Sequence, residues 1–483
     1  MNRDELQRRL VAALGPEAVI TDPAKLVLYA GDMTENDPVE PDVAVCPKSA
    51  EEVQAVVRLC AAERVPITPV VANTNLGGLA IPVRGGLVMD LRRMERVLEV
   101  DREDLFAVIE PGVTWQKLHD HLERHAPELR FAYPLSPPES GIVPNCLLDG
   151  LANLSLRAGP ASYWINALEA VLPDGRLLRT GHWAYAGKPC ARAPFPQLEG
   201  LFVNFAGTTG IVTRLAVQLW PNPAHRRRFF LMAYDAAEAF AALRHLARED
   251  LADDLGALSW ASGKMLFGDH RPLWRDPAEP LLFLYLDVSG HHRELFEARV
   301  KAIERLVREW RQAGTRLDGP LDIADLVRLE PRFGKFADFP TRLDFLLDGH
   351  GGGLSWVGTY GPTSRFAEGY QRGSDILAAH GFSPVVVCRP MLGGHFGVLR
   401  WISVFDRSDP GEVARVKAAN RALAEMAISL GFFPYKTPQW VWEAHGARLD
   451  PAFREVVDAV RRLLDPAGIM NPGRLQFPPL SPP

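Results

Sequence analysis

The sequence predicts an α+β protein: two small strand–helix units, then a larger antiparallel sheet covered by helices on one face. Three observations lead there. Up to about residue 223, short apolar runs alternate with capped helices and Gly/Pro/Asn turns. From about Arg226 to Leu430 the apolar runs alternate with longer amphipathic helices, such as Arg293 to Ala313 and Pro410 to Leu430. Between the two lies Pro221-Asn222-Pro223, a boundary signal. The expected division is 1–223, 224–432 and a C-terminal segment, 433–483, that returns to the first part.

The elements follow in order. Val43 to Cys46 is an apolar run. Ser49 opens a helix with Glu52 three residues on, a capping-box pattern. Val53, Val56, Val57, Cys60 and Ala61 recur at helical spacing, so one face of that helix is buried. Arg64 to Val71 reads as a strand with prolines at an edge or its ends, and Leu87 to Leu91 as the next. The second unit starts with the strand Phe106 to Glu110. Thr114 then caps a helix running to about His125. Ala167 to Leu172, Pro173-Asp174-Gly175 and Arg176 to Thr180 form a hairpin, and Ile211 to Leu219 follows as a strand. The tail from Tyr435 is mostly helical.

Composition narrows the function. A formal net charge of -5, with arginines interleaved among acids, supplies no basic surface for nucleic acid. Five cysteines, Cys46, Cys60, Cys146, Cys190 and Cys388, form no CxxC pair, so a disulfide framework or zinc site is not expected. The charged, amphipathic start is not a signal peptide, and no apolar run is long enough to span a bilayer. A cytoplasmic protein is expected.

The loop Ala72-Asn73-Thr74-Asn75-Leu76-Gly77-Gly78 follows a strand without Gly-x-Gly-x-x-Gly spacing. It can offer successive backbone N–H groups to an anion without a helix dipole. Asn73 and Asn75 tolerate positive φ best among non-glycine residues.

This loop, the Glu110-Pro111-Gly112-Val113-Thr114 turn, the Pro173-Asp174-Gly175 hairpin, Gly207-Thr208-Thr209-Gly210-Ile211-Val212 and the Asp465-Pro466 to Pro472-Gly473-Arg474 tail occur in one order. That order resembles the vanillyl-alcohol oxidase and para-cresol methylhydroxylase family of FAD-dependent oxidoreductases, over nearly the whole chain. The resemblance implies a two-part FAD-binding domain made from both chain ends, with an α+β cap over the isoalloxazine ring. It implies that Ala72 to Gly78 cradle the pyrophosphate. Gly141, Gly207, Thr208, Gly210, Ile211, Val212 and Asn471 would lie along the cofactor, and Arg474 near its N1–C2 edge. A homodimer, and oxygen, a cytochrome or a quinone as electron acceptor, follow from the same resemblance.

The chain departs from the family at the substrate. Tyr435-Lys436 stands where the family has a Tyr-Arg pair that binds a phenolate oxygen, so the planar fork is lost. A second substrate-binding tyrosine near Gly78 is missing. The family's paired histidines align near Val398 and Leu399 and are absent; His395, in a Gly-His-x-Gly segment similar to D-2-hydroxyacid dehydrogenases, comes earlier. No second histidine completes a metal site there, and no metal is expected. Glu139 is the one carboxylate in Ser136 to Gly141, offered as a base near flavin N5, and Arg389 is offered as a second anion anchor. His350 is the one candidate for a covalent flavin link; non-covalent FAD is the expectation. The expected reaction is hydride removal from a small alcohol or phenol-type substrate. A 2-hydroxyacid dehydrogenase, with Arg389 and Lys436 on a carboxylate and His395 as base, and a non-catalytic binding protein or scaffold are the alternatives.

Overall fold

Residues 3–74, 76–185, 187–337 and 351–479 are described by a computed structural model of the chain. Val43–Val45 and Ile67–Val70 flank Leu87–Asp90 in parallel, and Val19–Ile20 adds an antiparallel edge. The parallel pairing needs a crossover, supplied by the helix Ala50–Glu63. Its start is the predicted cap: Ser49 Oγ accepts from Glu52 N at 3.3 Å, and Glu52 Oε2 accepts from Lys48 N at 2.8 Å. Val53, Val56, Val57 and Cys60 are fully buried against this sheet.

The second sheet is antiparallel, in the order Val97–Asp101, Phe106–Ile109, Ile211–Gln218, Ile165–Val171, Leu177–Arg179. Thr114 Oγ1 accepts from Lys117 N at 3.2 Å and starts the helix Trp115–His125. Gly175 takes φ +81 in the hairpin turn, where Leu172 N donates to Arg176 O at 2.8 Å.

The third sheet has eight antiparallel strands, ordered Leu317–Asp322, His225–Ala233, Leu282–Gly290, Asp254–Ser259, Val385–Met391, Phe396–Asp406, Gly352–Gly361, Phe433–Pro434. The helices Ala236–Arg248, Arg293–Gln312, Phe366–Ala379 and Pro410–Ser429 cover one face, burying Leu399, Trp401 and Phe405. Side chains alternate across a strand, so Val398, Arg400 and Ile402 face the other way, toward the first two sheets. The chain stays on this sheet slightly beyond residue 432: Tyr435 N donates to Gly358 O at 3.0 Å.

The tail then returns to the first sheet. Ile67 N donates to Ile469 O, and Asn471 N to Ile67 O, both at 2.7 Å. No helix among the described residues is long and apolar enough to cross a membrane.

Candidate active site

A cavity of about 420 Å³ opens between the large sheet and the two smaller ones. Its first wall is the loop after Ile67–Val70. Ala72, Asn73, Thr74 and Leu76 line it. Asn73 adopts φ +52 and its Nδ2 donates to Gly31 O at 3.0 Å. Gly78, at φ +66, lies behind the wall, with its N donating to Asp32 Oδ2 at 3.1 Å. Neither Gly77 nor Gly78 is on the cavity surface. Asn75 lies outside the described residues.

Gly207, Gly210, Ile211 and Val212 form the next wall, beside Gly141. Thr208 is not on it; its hydroxyl donates to Phe205 O at 2.7 Å. Asn471 ties two walls together, its Nδ2 donating to Ala206 O at 2.7 Å and Leu79 O at 3.2 Å. Arg474 lies behind the loop wall. Its guanidinium is buried, donates to the carbonyls of Gly78 and Ile81, and does not line the cavity. The tail arginine braces the loop because buried backbone carbonyls need donors.

The opposite wall is the open face of the large sheet, apolar except for Arg389 and for one end. Leu354, Val387, Val398 and Ile402 line it, and Arg400, Tyr435 and Lys436 close it. Arg400 is 6% exposed and lies over Trp356, 3.8 Å from the ring centroid, while donating to the Tyr435 hydroxyl. Tyr435 stacks on Tyr360 at 4.5 Å and 17°. Burial raises the Tyr435 phenol above its usual value, opposed by Arg400, so the group stays a neutral hydroxyl at physiological pH. Lys436 reaches Asn145 Oδ1 at 3.1 Å. Burial drives its ammonium down to about 7, and the Arg400 charge acts the same way.

Three expected catalytic groups fall elsewhere or are engaged. Glu139 is exposed and off the cavity surface, in a turn-rich segment whose buried serine, Ser140, points inward instead. His395 is exposed in the turn joining two strands of the large sheet and does not reach the cavity. Arg389 does line the cavity, yet its guanidinium is held by Asp254 at 2.5 Å and Ala152 O at 2.9 Å, so its charge is already balanced. His350 lies outside the described residues. Arg400 was missed. Its signal was a lone cation inside the apolar strand Phe396–Asp406, where a charge needs a special reason.

The residues present fit a flavin. Ser140 Oγ, Asn145 Nδ2 and Asn471 Oδ1 are buried without a hydrogen-bond partner among the described residues, and all three residues line the cavity. Buried polar groups are rarely left so unless a ligand meets them. At Gly141 an added Cβ would lie 3.0 Å from Pro144 Cδ and 3.1 Å from Val71 Cγ1, two other residues of the cavity lining, so only a glycine fits between them.

Two family models match the sequence: an FAD binding domain over residues 41–181, and the C-terminal domain of FAD linked oxidases over residues 445–475. The glycolate oxidase subunit GlcD of Bacillus subtilis (strain 168) is 31% identical over 240 residues, about half of each chain. The 1'-carboxy-chondrochloren decarboxylase of Chondromyces crocatus is 27% identical across 99% of this chain and 98% of its own. A crystal structure of p-cresol methylhydroxylase with substrate bound superposes with a TM-score of 0.84, at 21% identity, covering 98% of this chain and 96% of that one.

The chain is an FAD-linked oxidase or dehydrogenase, and its cofactor is FAD. Within that class it has the p-cresol methylhydroxylase fold.

Proposed function

We propose that the enzyme oxidises a small substrate through an acidic oxygen group bound at the Arg400–Tyr435 end of the cavity, an alcohol or a phenol-type compound. The observation that carries this is the hydrogen bond from the Arg400 guanidinium to the Tyr435 hydroxyl, on a mostly apolar wall whose other cation, Arg389, is paired with Asp254. A cation and a neutral hydroxyl converging on one point bind an oxygen that carries negative charge. The apolar wall of Leu354, Val387, Val398 and Ile402 takes the substrate body and excludes water. Bound FAD supplies the acceptor for the hydride leaving the substrate carbon.

On this reading residues 1–223 and 433–483 hold the cofactor and 224–432 form most of the substrate wall. Backbone groups of residues 72–74 and 76, the glycines at 207 and 210, and Asn471 hold FAD, and the link is non-covalent. Relatives named for glycolate and for a carboxylated chondrochloren support an acidic oxygen as the common substrate feature. The hydroxyacid dehydrogenase reading loses its base, because His395 is exposed. A homodimer and a small or protein electron acceptor complete the proposal.

The test is anaerobic flavin bleaching by a panel of para-alkylphenols, benzylic alcohols and 2-hydroxyacids. Bleaching by a phenol or alcohol, slowed by Tyr435→Phe, supports the reading. Bleaching by hydroxyacids alone overturns it. Acid precipitation should release all flavin colour to the supernatant; colour in the pellet would mean a covalent bond.

A further inference from the structure

Two cations share one corner of the cavity, and no described acid forms an ion pair with either. Arg400 lies 3.8 Å and Lys436 Nζ 5.8 Å from the Trp356 ring centroid, so the indole is a common floor. Lys436 is set there by an uncommon backbone, φ +51, which a lysine adopts only when its surroundings hold it. The other buried cation on this wall, Arg389, has the carboxylate of Asp254. The remaining groups nearby are engaged: the Tyr360 hydroxyl donates to Asp149 O, and the Asp149 carboxylate accepts from Ser162 and from Asn204 at 2.6 Å. The Lys436 amine has Asn145 Oδ1 as its polar neighbour.

We infer that Arg400 and Lys436 form a proton-linked oxyanion site, in which a carboxylate or phenolate oxygen docks on Arg400 and Tyr435 and Lys436 gains a proton as it binds. This rests on the reading that substrate oxygen occupies this corner. The physical cause is burial first, which disfavours the ammonium, and then the field of Arg400. In the empty site it repels a second positive charge; an anion on Arg400 cancels that repulsion and attracts the ammonium. For a carboxylate, the amine takes one proton from solvent. For a phenol, the O–H bond breaks, the electron pair stays on oxygen, and the same proton moves to the amine, with no net exchange with solvent.

The experiment is isothermal calorimetry of the holoenzyme at pH 8 in two buffers of different ionisation enthalpy. Benzoate and phenol are the probes. Benzoate is expected to bring close to one proton into the wild-type protein and none into Lys436→Met. Phenol is expected to bind with the ultraviolet band of its anion and no net proton exchange; in Lys436→Met the band disappears or a proton is released. Arg400→Met should weaken benzoate at least ten-fold while retaining its flavin. Benzoate binding without proton uptake in the wild type, or equal uptake in Lys436→Met, would overturn the inference. So would failure of both probes to bind a protein that carries FAD. Absence of bleaching by any phenol or alcohol strikes the functional reading instead, since the proton count does not depend on turnover.

Discussion

Arg400 and Tyr435 meet across two strands of the large sheet: the guanidinium on Phe396–Asp406 donates to the hydroxyl just after Phe433–Pro434. Gly358 lies between their strands, and a Cβ there would come 2.8 Å from the Tyr435 ring. The glycine lets the ring lie down on the sheet and reach the arginine.

Tyr435→Phe removes the acceptor of that bond and one arm of the oxygen site. A hydrogen bond to a charged group contributes about 1.5–3 kcal/mol, so benzoate or phenol affinity should fall about 10–100-fold. Flavin-perturbation titration measures it, and unchanged affinity would mean that the ligand oxygen binds elsewhere.

Lys436 makes stability depend on pH. Its folded-state value, about 7, lies below the roughly 10.4 of an unfolded lysine. Between these values the unfolded chain holds more protons, so stability rises with pH across that window; below it the burial cost is present in full. Lys436→Met should therefore be the more stable protein at pH 6.5, by on the order of 2–4 kcal/mol. The advantage should shrink toward pH 10. Urea unfolding at both pH values is the measurement, and a pH-independent difference would count against the depressed lysine.

Arg389→Met leaves Asp254 buried without its cation. Breaking one side of such a pair costs about 3–5 kcal/mol. The double variant Arg389→Met/Asp254→Asn should recover most of the loss, because no lone charge remains. If urea midpoints showed the single and double variants equally destabilised, packing rather than charge would be the cause.

Gly210 has φ +148, and a Cβ there would lie 2.7 Å from Val171 O, inside the second sheet and beside the cavity wall. Gly210→Ala should lower stability by about 1–3 kcal/mol and reduce bound flavin per chain. The ratio of flavin to protein absorbance after purification reads the second effect.

Much of this molecule was legible in order along the chain. Ser49 and Thr114 announce helices because a side-chain oxygen beside an orphan N–H is a local interaction, complete within four residues. Asn73 announces a positive φ for the same reason. Glu139 and His395 were misread because their chemistry suits catalysis while their exposure depends on how distant segments pack. Arg389 was read as a free anchor because its partner, Asp254, lies 135 residues away.

The sequence by itself determined the local elements, the capped helices at Ser49 and Thr114 and the hairpin around Gly175, all of which depend on near neighbours and turn chemistry. Only the tertiary structure decided which buried cation on the cavity wall pairs with an acid and which does not. Asp254 claims Arg389, the carbonyls of Gly78 and Ile81 claim Arg474, and Arg400 is left over Trp356 with the Tyr435 hydroxyl. A buried cation's role is set by the partner that packing brings to it, and strands far apart in sequence supply that partner.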